Sequence, residues 1–304
     1  MELEPDFEFR PLPLIQRPLV FQHTVAGSPL GPLAELKGKW SGKGLNTIWR
    51  PNHTPGQDRF LELNLTQDDI EFTEIKGPIP NRGLLQDDMQ MFGLTYLQQI
   101  KDFNNKAGLH IEPGIWATVP KTENPAEAPT VVRMASIPHG TTIVAQGLSI
   151  DVNGPPVITA NNITPFKIGN PTATINFPES NLSIPTAFRS PPADIAGITQ
   201  GMVDNPNSVL TAAIAGQTIT KTVVLAVSSS PAAPLVGGGT ANTAFLQGAA
   251  AGPNAQAALV SAIFWLETLK GHNEARQLQY TQTVLLNFNG LSWPHVTVAT
   301  LHRK

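Results

Sequence analysis

Residues 108–150 decide the fold, because they hold three β-favouring runs in succession: "GLHIEPGIWATVP" (108–120), "TVVRMASIPHG" (130–140) and "TTIVAQGLSI" (141–150). Each run is rich in β-branched and aromatic residues and ends at turn residues, which is typical of a strand. The connections are too short for crossover helices, so neighbouring strands should pair antiparallel. Similar runs start near residue 36 and resume near residue 217. The sequence therefore predicts a mainly β protein, an antiparallel up-and-down β-barrel of about ten strands.

The composition agrees with a loop-rich β protein and excludes several kinds of site. Charged residues make up only 14% of the 304 residues, while the chain has 25 Gly and 28 Pro. The net charge is −3 and the basic residues are scattered, so we expect no nucleic-acid partner. The absence of Cys excludes disulfides, thiolate nucleophiles and thiolate metal ligands.

The first thirty residues predict an extended arm and give no sign of export. They begin with acidic residues and carry five prolines, at positions 5, 11, 13, 18 and 29, which disfavour a helix. This pattern lacks the basic start and continuous apolar core of a secretory signal. No stretch reaches the roughly 18 apolar residues that a membrane span needs. We therefore expect a cytoplasmic protein with no membrane partner.

The rest of the chain, residues 31–304, is expected to form a single barrel domain with two interruptions. A Pro/Gly-rich insertion occupies about residues 150–215, and a long loop occupies about 229–257. Within the insertion, "NPNSVLTAAIAGQ" (205–217) predicts one short helix, with Asn205 or Asn207 as its cap.

The closing strand carries the histidine of most interest. On the strand that begins near Pro294, alternation places His295, Thr297 and Ala299 on one face. That face could present the imidazole to whatever the sheet encloses. A single histidine on a half-apolar strand is more often a hydrogen-bonded structural residue, so both interpretations stay open at this point.

Two further candidate histidines, His110 and His139, precede the insertion. His110 and Glu112 share one strand face, so they could serve as a catalytic acid and base or as a carboxylate-oriented imidazole; facing outward, they would be ordinary polar residues. His139 lies between two strands, where it is either a hairpin-turn residue or a residue on the rim of a pocket.

Two tryptophans are candidate wall residues of the barrel. Trp40 lies in "GKWSGKG" (38–44), which lacks the Gly-Lys-Ser/Thr ending of a phosphate loop. It is better interpreted as a first barrel strand in which Trp40 plugs one end. Trp116 is a candidate for the wall or the mouth of the barrel, although such a residue is more often part of a core.

Four motifs, taken in order, resemble the nitrobindin family of haem-binding, calycin-like β-barrels. They are "GKWSGKG" (38–44), "LHIEPGIW" (109–116), "PHGTTIVAQG" (138–147) and the last two strands, "LQYTQTVLLNFNGLSWPHVTVATLHRK" (278–304). In that family the histidine of the terminal strand is the proximal ligand of the haem iron, so the resemblance implies that His295 is the metal ligand.

The resemblance further implies haem b as the cofactor, with NO binding, peroxynitrite isomerisation or scavenging, or haem-dependent oxidation as the activity. Beside His295, we assign Thr297, Trp40, Trp116 and His139 to cofactor binding. The insertion has no counterpart in these motifs and could either cap the pocket or fill it.

Two other functions remain open from the residues alone. The barrel could carry an apolar small molecule without haem, such as a fatty acid or an aromatic metabolite. It could also be a cofactor-free isomerase or cyclase that uses His110 and Glu112, with the insertion as a lid. A homodimer formed through a strand edge or the proline-rich arm is open as well.

Overall fold

The computed structural model describes residues 7, 28–54, 57–138, 140–230, 238–242 and 255–304. Within these residues, ten strands form the barrel and four short strands lie outside it. The barrel strands are β1 (Gly38–Thr54), β2 (Gln57–Glu74), β4 (Met89–Asp102), β5 (Gly108–Val119), β6 (Thr130–Ser136), β7 (Thr141–Asn153), β10 (Ile219–Ser228), β12 (Gln256–Leu269), β13 (Gln277–Phe288) and β14 (Leu291–Arg303). The outer strands are β3 (Ile79–Asn81), β8 (Phe166–Lys167), β9 (Asn170–Thr174) and β11 (Gly238–Asn242).

Antiparallel pairing of β1 with β14 closes the barrel. The pairing runs from Trp40 opposite Arg303 to Thr47 opposite Val296. The other barrel strands pair in chain order, which confirms the predicted antiparallel up-and-down barrel of ten strands. A β-carbon at Gly42 would overlap the carbonyl of Thr300, so glycine is what allows β1 to approach β14 here.

The lumen has two ends, which we name after the residues that mark them. At the Trp40 end, β1 begins and β14 finishes, and a 3-10 helix, Gly31–Leu36, lies against the barrel. The indole Nε1 of the buried Trp40 donates a hydrogen bond of 2.6 Å to the Leu36 carbonyl, and the Arg303 guanidinium lies 4.4 Å from the ring centroid. Trp40 therefore plugs this end. At the opposite end, the His295 end, β14 begins.

Apolar side chains from every barrel strand fill much of the lumen. Because successive side chains of a strand point to opposite faces, one alternate set from each strand meets inside the barrel. Its largest fully or nearly fully buried members are Trp40, Phe72, Leu94, Trp116, Leu225, Phe264, Leu278, Tyr280 and Leu301.

The insertion, which spans residues 154–218 between β7 and β10, packs against the outside of the barrel. Its apolar residues Ile163, Ile198, Val203 and Leu210 form a second core with outward-facing side chains of the wall. The wall residues in that core are Leu45, Trp49, Leu61, Leu63, Trp265, Phe288, Trp293, Val296 and Val298. Most of these alternate with the lumen residues, so the insertion packs mainly beside the barrel. Trp293 shares the alternation of His295, and Phe177 of the insertion stacks on its ring at 5.2 Å, so the insertion also reaches the His295 end.

The helical content of the insertion differs in part from the prediction. The predicted helix is present as α2 (Ser208–Ala213), which begins after Asn207. A second helix, α1 (Gln200–Asp204), precedes it and was not predicted. The Thr199 side chain caps α1 by accepting a hydrogen bond from the Met202 amide, a signal that was visible in the sequence.

Other predictions about the ends and loops are only partly covered. The long loop predicted at about 229–257 contains β11, which pairs with β7. Most of the predicted N-terminal arm and His139 lie outside the described residues. No helix in the described part of the chain has both the length and the apolar character needed to cross a bilayer. The single domain, the cytoplasmic location and the homodimer stay predictions.

One carboxyl is buried between the barrel wall and the insertion. Glu267 on β12 is fully buried, and Gln277 donates a hydrogen bond of 2.5 Å to its Oε2, while Oε1 has no partner among the described residues. Gln217 of the insertion in turn donates to Gln277 at 3.2 Å. Burial raises the pKa of Glu267 from 4.5 to about 7.

We expect Glu267→Gln to stabilise the protein above neutral pH but not under acidic conditions. Because the pKa of Glu267 is higher in the folded state than in the unfolded state, ionisation of this carboxyl opposes folding. The wild type has its full stability below pH 4.5 and loses part of it as the pH rises through about 7, whereas Gln does not titrate. The variant should therefore gain about 1–3 kcal/mol over the wild type at pH 8 and little at pH 4. Urea unfolding at the two pH values measures this, with the exposed Glu123→Gln as control. Equal gains at both pH values would contradict the assignment.

Candidate functional site

The middle of the lumen is crossed by a group of polar side chains that we call the lumen network: Tyr96, His110, Glu112, Arg133 and Gln282. The strand β6 explains why an arginine is inside. Its residues Val131 and Ala135 belong to the inner core, so Arg133, which lies between them at the same alternation, also points inward. Arg133 is fully buried.

Arg133 connects opposite sides of the barrel. Its Nη2 lies 2.5 Å from Glu112 Oε1, its Nε donates to the Tyr96 hydroxyl at 2.9 Å, and its Nη1 donates to Gln282 Oε1 at 2.6 Å. Three strands, β7, β10 and β12, separate β6 from the β13 strand that carries Gln282. The side chain therefore spans the lumen as a strut.

The ion pair within the strut keeps both partners charged. Burial alone would raise the pKa of Glu112, but the charge of Arg133 and the hydrogen bond with His110 outweigh it, so the pKa falls to about 2. Burial opposes the charge of Arg133 too, but Glu112 raises the pKa of the guanidinium. Tyr96, which also contacts Glu112, has its pKa raised by burial and stays neutral.

The structure brings the predicted pair His110 and Glu112 together on the inward face of β5. The His110 Nε2 lies 3.1 Å from Glu112 Oε2, and the His110 side chain retains 13% of its exposure. Because Glu112 stays ionised, it can orient the imidazole but is a poor proton donor. Of the two predicted arrangements, the geometry is that of a carboxylate-oriented imidazole, and a catalytic role stays a prediction.

A second buried carboxyl lies beside the network. Asp68 on β2 accepts hydrogen bonds at one oxygen from the Tyr280 hydroxyl, at 2.6 Å, and from Gln98, at 3.0 Å. Burial raises its pKa to about 7, although these two bonds and the charge of His110 act in the opposite direction. Of these two carboxyls, Glu112 is ionised at neutral pH, whereas the raised pKa of Asp68 lies close to neutral pH.

His295 faces the lumen, on the same face of β14 as the inner-core residues Ala299 and Leu301. The side chain is half-buried, and its Nε2 lies 2.9 Å from the Asn46 side-chain oxygen. Thr297 donates its hydroxyl to the same oxygen at 2.8 Å. The predicted shared face of His295 and Thr297 is therefore present and points inward.

Small side chains line the lumen across from the closing strand. Ala262 on β12 pairs with Gln282, which pairs with Thr297, so this small residue lies close to His295 along the ladder. The other buried alanines that point into the lumen from β6, β7 and β12 are Ala135, Ala145 and Ala257. The side chains at these positions are smaller than those at the Trp40 end.

The remaining predicted cofactor residues are not assembled around His295. Trp40 pairs with Arg303, which is eight residues along β14 from His295, or about 26 Å. Trp116 lies on the Trp40 side of Glu112 along β5 and is fully buried. His139 lies outside the described residues. The structure thus unites His295 with Thr297 and His110 with Glu112, and it places the tryptophans elsewhere.

The residues that sequence reasoning missed are the polar partners from other strands: Asn46, Asp68 and Arg133. The sequence did contain a signal for Arg133. It lies on the same strand face as Val131 and Ala135, and a charged residue is unusual on the apolar face of a strand. Within the described ranges, no cluster of three or more His, Asp or Glu residues could hold a metal ion by itself. Axial ligation of haem, which needs one imidazole, is a different kind of site.

Comparisons with known proteins add little to this geometry. No protein-family model matches the chain, and no curated protein matches it. Among solved structures, the chain is similar to Rv2717c from M. tuberculosis, known from a crystal structure, with 14% sequence identity and a TM-score of 0.42. That similarity covers 91% of this chain and 97% of the other. A likeness of this degree carries no argument about function.

We expect Arg133→Met to destabilise the barrel by about 3–5 kcal/mol, because it leaves the charge of Glu112 buried without a partner. The double variant Arg133→Met, Glu112→Gln should recover part of that loss, since no charge is then stranded. Urea unfolding of the two single variants and the double variant gives the coupling energy.

The surface pair Arg50–Glu62, with an N–O distance of 3.0 Å, provides the control for this experiment. Arg50→Met should change the free energy of unfolding by less than about 1 kcal/mol. A double lumen variant no more stable than Arg133→Met alone would show that the charge of Glu112 is not what the arginine compensates.

Proposed function

We propose that this chain binds haem b at the His295 end of the lumen, with His295 as the axial ligand of the iron. The observation that carries the proposal is the position of His295, which is half-buried, faces the lumen and is held by a side chain of the neighbouring strand. Imidazole is a common axial ligand in haem proteins. The resemblance of the sequence motifs to the nitrobindin family points to the same residue.

The surroundings of His295 are compatible with a flat apolar cofactor. Thr297 and Ala299 are small neighbours on the same face, and alanines line β6, β7 and β12. The charge of Arg133 is compensated by Glu112, so the strut offers a polar boundary without a net charge. When bound, a haem with an open coordination position would supply NO binding, peroxynitrite chemistry or oxidation, as the resemblance implies.

The direct test is the visible spectrum of the protein produced with a haem precursor. We expect a Soret band in the wild type and its loss in His295→Ala, because alanine has no donor atom for the iron. His302→Ala is the matched control, since His302 is on the same strand but exposed. It should keep the band unchanged. A colourless wild type that also fails to take up added haemin would contradict the proposal.

A second candidate is a haem-free carrier of an apolar molecule. Two observations favour it. The Nε2 of His295 already contacts Asn46. The guanidinium of Arg133 is already paired with Glu112 and Gln282, so a charged group of a ligand would find no unpaired partner there. Such a ligand would be held mainly by apolar contact with the alanine-lined wall.

For this carrier function we expect the purified protein to release an apolar compound on denaturation, with no absorbance in the Soret region. Native mass spectrometry compared with denaturing mass spectrometry measures the mass of that compound. Ala262→Phe, which adds bulk to the lumen near Thr297, should reduce its occupancy by tenfold or more, whereas the same change at the exposed Ala212 should leave it intact. Equal masses under both conditions would argue against this function.

A further inference from the structure

Asn46 occupies a specific position relative to His295. It lies on β1 directly opposite Thr297 of β14 in the ladder that closes the barrel, and it is 5% exposed. Its side-chain oxygen has two neighbours from β14, the Thr297 hydroxyl at 2.8 Å and the His295 Nε2 at 2.9 Å. The closing ladder therefore sets the distance between the amide and the imidazole.

This contact has a chemical consequence for the imidazole. An amide oxygen only accepts hydrogen bonds, so the ring nitrogen that faces it must carry the proton. A protonated Nε2 has no lone pair to offer, and a metal ligand must present a lone pair. With the amide oxygen toward the ring, this nitrogen donates to Asn46 at 2.9 Å, and the Thr297 hydroxyl oxygen lies farther from it, at 3.4 Å.

We propose that Asn46 is a positioning residue for His295: it fixes the ring through an Nε2–H hydrogen bond. Before Nε2 binds iron, that bond must break and the ring proton must leave Nε2 for solvent while Nδ1 takes up a proton, which gives the neutral Nδ1–H tautomer. The second half of this inference rests on the proposed haem function, whereas the first half does not. The hydrogen bond from His295 to Asn46 then competes with haem binding and lowers haem affinity, while it keeps the ring inside the lumen.

The first experiment tests the hydrogen bond in haem-free protein. Nitrogen-15 NMR of the histidine rings should show a protonated Nε2 for His295, assigned by its absence in His295→Ala, with slow exchange of the ring proton. Asn46→Leu removes the acceptor and should speed that exchange by tenfold or more. Asn46→Asp keeps an acceptor and should keep the exchange slow, which also provides a result if the leucine variant does not fold.

The matched control is Asn64→Leu. Asn64 is the neighbour of Asn46 on β2, is similarly buried and faces the lumen, but its side-chain amide donates to Asp102, at 3.0 Å. It should leave the His295 ring proton unchanged. A His295 Nε2 without a proton in the wild type, or slow exchange that persists in Asn46→Leu, would overturn the inference.

The second experiment measures haemin binding by titration. Asn46→Leu should bind haemin about two- to tenfold more tightly than the wild type, the change expected when one net hydrogen bond no longer has to be broken. Equal or weaker haemin binding by Asn46→Leu would overturn the inference that this hydrogen bond competes with haem binding. If the wild type takes up no haemin, the proposed function and the release step fail together, and the NMR result still decides whether Asn46 positions the ring.

Discussion

The ion pair between Arg133 and Glu112 is the contact on which the arrangement of the lumen depends. A guanidinium without compensation could not remain inside an apolar barrel, because the cost of removing its charge from water is several kcal/mol. With Glu112 beside it and Gln282 opposite, the same side chain becomes a strut that joins two sides of the wall. The apolar plug lies on one side of it, and His295 and His110 lie toward the other.

The fold could be predicted from sequence because its signals are local. The runs around Trp116 and Arg133 alternate and end at turns, and their short connections leave antiparallel pairing as the only economical arrangement. The same alternation correctly placed His110 with Glu112, and His295 with Thr297, on shared faces. Each of these pairs is two residues apart on one strand, so no knowledge of the tertiary structure was needed.

The site itself depends on contacts between distant parts of the chain, and these could not be predicted. Asn46 meets His295 only because β1 pairs with β14, and Arg133 meets Gln282 only across the closed lumen. Trp40 combines both cases. Its role as a plug could be predicted from its strand, whereas its distance along the closing ladder from His295 appears only once β1 pairs with β14.

The closing ladder also determines when this protein can fold. The edge of β1 that faces β14 stays unpaired until the residues up to Arg303 have left the ribosome, because its partner is the last barrel strand to be made. During synthesis the nascent sheet therefore carries an open edge, which is a template for pairing with other chains. Contacts of such long sequence separation also slow folding. The yield of folded barrel therefore depends on how soon β14 covers this edge as well as on the stability of the finished barrel.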